Sequence, residues 1–75
     1  MNTVGFRRTV RGMVEGQRFL ITITSQVDDV FQFTATVEGV AVQVREQGVI
    51  RNKGDAMQLA MIAVERHVME LARER

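Results

Sequence analysis

Cysteine, proline, tryptophan and tyrosine are all absent from these 75 residues, and histidine and serine occur once each. Without cysteine the chain forms no disulfide frame and no thiolate metal site. Without Trp or Tyr, four phenylalanines carry the aromatic content, so base-stacking rings are scarce. No apolar run approaches the ~20 residues of a membrane-spanning helix. The opening Met1-Asn2-Thr3-Val4-Gly5 lacks the apolar stretch of a signal peptide, so a soluble cytoplasmic protein is expected. A large excess of one charge is also missing: the net charge is +1. Disorder needs low hydrophobicity and high net charge, and 45% apolar residues argue against it. What remains is one small α+β domain over residues 1–75, near the size at which a single core gives marginal stability.

The charge is unevenly placed. Residues 1–18 carry Arg7, Arg8, Arg11 and Arg18 against Glu15 alone. Residues 19–44 carry Asp28, Asp29 and Glu38 with no base. The remainder mixes both signs. Phosphate neutralisation supplies most nucleic-acid affinity, so a balanced chain points first to solvated charges and internal pairs.

Period-two alternation runs through the first 46 residues. In 6–14 the even positions Phe6, Val10 and Val14 share a face with Arg8 and Gly12. In 17–25 Phe19, Ile21 and Ile23 fall on one side. In 30–38 Phe31, Phe33, Ala35 and Val37 do the same, and in 40–46 Val40, Val42 and Val44. This predicts four half-buried antiparallel strands. Two-residue loops at Glu15-Gly16 and Glu38-Gly39 pair Gly12 with Phe19, Val10 with Ile21, Ala35 with Val42 and Phe33 with Val44. A three-residue loop at Val27-Asp28-Asp29 pairs Ile23 with Phe33. These registers put every apolar set on one face, and a one-residue slip sends a set to water. Phe19 opposite Gly12 suits a ring lying over bare backbone.

Asn52, with Asp55 three positions on, reads as a helix N-cap and N3 acid. From Ala56 to Arg75 no Gly or Pro intervenes, which predicts one long helix. The expected fold is ββββα: a four-stranded antiparallel meander sheet with one C-terminal helix across its apolar face. Its element order resembles that of whirly-type and PUR-type single-stranded nucleic-acid binders, some of which dimerise through their helices. The likeness is one of element order and carries no motif or site residue.

Projected at 100° per residue, the helix has a centre stripe of Ala56, Leu59, Ala60, Ala63, Val64 and Leu71. Met57, Met61 and Val68 widen one flank, and Ile62 and Met69 fall on the far side. A helix apolar nearly all round is buried on more than one side, so a homodimer is expected, with Met57, Met61, Ile62 or Met69 in the contact.

Chemistry-bearing groups are few. His67 projects into the apolar stripe with Glu70 at i+3 and Glu74 at i+7. As a lone histidine it is a poor metal set and reads as a half-buried structural residue. Ser25 stands alone near a strand end, and no phosphate loop or paired-His motif is present. No catalytic residue, metal, cofactor or small-molecule substrate is expected. Arg51-Asn52-Lys53-Gly54 leads into a helix N-terminus, where a phosphate is one reading and ordinary capping the favoured one. The sheet face opposite the helix should carry Arg7, Thr9, Arg11, Met13, Arg18, Leu20, Thr22, Thr24, Gln32, Thr34, Thr36, Gln43 and Arg45, with Arg18 opposite Glu38. The chain therefore reads as a non-enzymatic, homo-oligomeric interaction module. The alternative is a weak single-stranded nucleic-acid binder using Arg7, Arg11, Arg18 and Arg45, against which stands the placement of all four Phe on the core side.

Overall fold

A computed structural model describes residues 3–44 and 48–73. Four strands, β1 (Arg7–Val14), β2 (Gln17–Val27), β3 (Val30–Val37) and β4 (Val40–Ala41), precede one helix, α1 (Lys53–Arg73). The strands form a single antiparallel sheet in the order β1-β2-β3-β4. The α+β, ββββα architecture is therefore the one the alternation predicts.

The registers follow from the turns. Val14 pairs with Gln17 across Glu15-Gly16, and Val37 with Val40 across Glu38-Gly39. Both central residues of each turn have positive φ: 50° and 77° in the first, 49° and 80° in the second. Such primed turns match the right-handed twist of the flanking strands. Glutamate is an unusual first residue for one. At Glu38 a local bond offsets the cost, because its Oε1 accepts the Arg18 backbone N–H at 2.7 Å. The expected Arg18–Glu38 pair thus forms, but through the Arg18 main chain.

The β2–β3 register matches the parity reading, with Ile23 opposite Phe33 and Ile21 opposite Ala35. The loop itself differs. Val27 pairs with Val30, so the turn is Asp28-Asp29, and a register shift between Thr24 and Val27 absorbs the extra residue. Ser25 explains the bulge. Only 2% exposed, it points inward, and its Oγ donates to the Val27 carbonyl at 2.9 Å.

The fourth strand covers only the start of the predicted 40–46, of which residues 45 and 46 lie outside the described residues. Pairing ends at Ala41, although the Val42 N–H still donates to the Ala35 carbonyl at 2.9 Å and Val42 is buried. The expected Phe33–Val44 pair is not formed. The chain returns to the same edge further along: Ile50 bridges Phe31, whose N–H donates to the Ile50 carbonyl at 2.8 Å. One edge cannot accommodate both a long β4 and this return, so β4 yields.

The helix begins at Lys53, directly after Asn52, its predicted cap. The Asn52 Oδ1 accepts the N–H of Gly54 at 2.7 Å and of Asp55 at 3.4 Å, while its carbonyl accepts that of Ala56 at 3.1 Å. These bonds satisfy donors that a helix N-terminus otherwise leaves open. The helix packs against β3 and β2. Its innermost line is Ala56, Ala60, Val64 and Val68, all buried. This line is rotated from the predicted stripe toward Met57, Met61 and Val68, leaving Leu59 and Ala63 half-buried; Leu71, in the last turn, is half-buried as well. Two alanines at the contact let the helix axis approach the sheet closely. Beneath them lie Ile21, Ile23, Phe31, Ala35 and Val37. The Phe6 ring meets Phe31 edge-on, with centroids 5.8 Å apart, and Lys53 Nζ stands 5.6 Å from the Phe6 centroid.

Candidate interaction surfaces

The helix pole opposite the core is the first surface. At 100° per residue, Ile62 and Met69 lie about 180° from the line of Ala56, Ala60, Val64 and Val68. They are 47% and 61% exposed. Glu65, Arg66, Glu70 and Arg73 surround them along a shallow depression of about 450 Å³. Ile62 also borders a second depression of about 300 Å³, with Leu59 and Val49. Met57 and Met61 do not join this patch; both pack against the core on the opposite flank of the helix. The four residues named from sequence thus divide into two that complete this chain's own core and two that face outward. Val49 was not foreseen as a neighbour of Ile62, because only the return of the chain to β3 brings it there.

The open sheet face is the second surface. Register places Arg7, Thr24 and Gln32 in one row, Thr9, Thr22 and Thr34 in the next, and Arg11, Leu20, Thr36 and Ala41 in a third. Met13 stands beside Arg18. Arg7, Arg11 and Arg18 are exposed, on two adjacent strands of one face. Arg45 lies outside the described residues, and Gln43, though described, pairs with no strand. No phenylalanine reaches this face: Phe31 belongs to the core and Phe6, Phe19 and Phe33 pack against it.

The groups with chemical potential are occupied or isolated. Ser25 Oγ donates to the Val27 carbonyl and shares a 2.8 Å hydrogen bond with Thr3 Oγ1. Thr3 Oγ1 in turn accepts the Asp29 N–H at 2.7 Å, and the Thr3 N–H donates to Asp28 Oδ1 at 2.7 Å. The set joins the start of the chain to the β2–β3 turn. Asp29 is held there at a φ of 59°, a conformation Asp tolerates better than most residues. Thr3 and Ser25 are 22 positions apart, and no local sequence signal links them. His67 is half-buried on the helix between the Ala60 and Ala63 lines, as the projection suggests. Glu70 is exposed one turn on, and Glu74 lies outside the described residues. Among the described residues, no group of three or more His, Asp or Glu is placed to hold a metal. No helix among them is long and apolar enough to cross a membrane.

Comparison of the chain with protein-family models, with curated proteins and with solved structures gives no match.

Proposed function

We propose that this protein is a non-enzymatic interaction module that works as a two-fold homodimer joined through the outward pole of α1. The observation that carries the reading is the exposure of Ile62 and Met69 on the helix line farthest from the chain's own core. Single exposed apolar residues are common, but these two are one heptad apart and share one depression.

The surrounding residues favour a second copy. In an antiparallel helix pairing with its two-fold axis between Glu65 and Arg66, Ile62 of one copy meets Met69 of the other. Glu65 and Arg66 flank that seam, one on each side. The strip is self-complementary in its apolar residues, as an isologous contact requires. It spans about three helical turns, so the dimer is small and its dissociation constant lies on the order of micromolar. The nucleic-acid alternative has less support, since its face carries three described arginines but no ring on which a base can stack.

Sedimentation equilibrium tests the reading. The native chain should dimerise with micromolar affinity, and Ile62→Gln with Met69→Gln should be monomeric at the same concentration with unchanged circular dichroism. A native chain that stays monomeric at hundreds of micromolar refutes it.

A further inference from the structure

We propose that the outer edge of β1 is a docking site for an extended acidic peptide segment, which adds to the sheet as a further strand. The inference is independent of the helix contact, because it concerns the opposite side of the sheet order.

The hydrogen-bond parity of β1 is fixed at both ends. The Ser25 N–H donates to the Phe6 carbonyl, and Val14 closes a two-residue turn with Gln17. Phe6, Arg8, Val10, Gly12 and Val14 therefore bond inward to β2. The N–H and C=O groups of Arg7, Thr9, Arg11 and Met13 point away from the sheet. The pairing is continuous over all eight residues, with no bulge and no proline to interrupt the outer row. An edge of this length and regularity is a template for a further strand.

Side chains define what that strand should be. Every charged residue of β1 is basic: Arg7 and Arg11 on the open face, Arg8 on the helix side. All three are exposed. On the helix side α1 packs over β3 and β2, so Val10 and Val14 beside this edge stay only half-buried. An added strand with acidic side chains toward Arg7 and Arg11 and apolar ones toward Val10 and Val14 satisfies both faces. A second copy of β1 does not, because it brings six arginines to one seam with no acid between them. A nucleic-acid strand meets the arginines but has no amide row to pair with the outer N–H and C=O groups.

The test is fluorescence anisotropy with a labelled peptide of alternating Glu and Val. Three comparison probes are the same peptide N-methylated at every second residue on its pairing edge, a Lys–Val peptide and an oligothymidylate. Hydrogen exchange of the native chain is measured alongside. The Glu–Val peptide should bind and should protect the amides of Arg7, Thr9, Arg11 and Met13. N-methylation should weaken it roughly tenfold or more, as should Arg11→Glu. Thr9→Pro, which removes an outward N–H at a position where an edge strand tolerates proline, should weaken it similarly. Equal affinity for the methylated and unmethylated peptides overturns the proposal. So does tighter binding of the oligothymidylate through the same arginines. Absence of peptide binding also overturns it and leaves the arginines as guards against edge-to-edge pairing.

Discussion

Replacing Gly12 with alanine separates two effects of opposite sign. Glycine inside a strand is less stable than alanine by about 0.5–1 kcal/mol, so the substitution alone should help. Here the space is taken. A Cβ at Gly12 would overlap the Phe19 ring, 2.7 Å from Cε2 and 3.3 Å from Cε1, whereas carbon contacts relax at about 3.5–4.0 Å. The ring must shift by roughly 1 Å, and forced overpacking costs about 1–3 kcal/mol. Phe19 is only half-buried, which favours the lower part of that range. Gly12→Ala should therefore destabilise the protein by about 0.5–2 kcal/mol, the overpacking cost less the backbone gain. At about 0.05–0.15 kcal/mol per residue the whole fold has roughly 4–11 kcal/mol of stability, so the loss is readily measured. In urea, with a slope of about 1 kcal/mol per molar, the midpoint should fall by about 0.5–2 M. In a Phe19→Ala background the sign should reverse, and Gly12→Ala should then stabilise by about 0.5 kcal/mol. If Gly12→Ala stabilises the native sequence, or costs the same in both backgrounds, the ring does not lie over Gly12 and the β1–β2 register is wrong.

Ser25→Ala removes a buried hydroxyl bonded to Thr3 and Val27 and should lower stability by about 1–2 kcal/mol. Paired with Thr3→Val in a double-mutant cycle read by urea unfolding, the two losses should be markedly less than additive. Asn52→Ala opens the helix N-terminus and should cost about 1 kcal/mol, whereas Asn52→Asp should be nearly neutral in thermal unfolding.

The sheet was legible because one face is buried. With Ile21, Ile23, Ala35 and Val37 needing cover, a single register satisfies all three hairpins, and the strand order follows from the short turns. The Val27-Asp28-Asp29 loop was misread because parity is the same for a three-residue loop as for a two-residue turn with a bulge. Only the bonds between Thr3, Ser25 and Asp29 distinguish them, and they join residues far apart in sequence. The extent of β4 was hidden for a similar reason, since Ile50 competes for the β3 edge from across a segment with no periodicity. On the helix, apolar residues nearly all round left the core line ambiguous. Packing on β3 and β2 selected Val68 for the core, while Met57 and Met61 joined the core's flank. Ile62 and Met69 were separable from the sequence because the projection already placed them beyond the sheet's reach. The outward row of β1 amides was implicit in the Glu15-Gly16 turn, but its availability depends on β1 being an edge.

The most direct test of the account is a charge placed at the centre of the helix pole. A two-fold antiparallel pairing contains the Ile62–Met69 contact twice. Ile62→Glu alone should weaken the dimer by roughly tenfold or more in dissociation constant by sedimentation, about 1.4 kcal/mol or more. Ile62→Glu combined with Met69→Lys should regain part of the lost affinity, because position 62 of each copy meets position 69 of the other. A dimer indifferent to the single change, or one that the double change fails to strengthen, would contradict it.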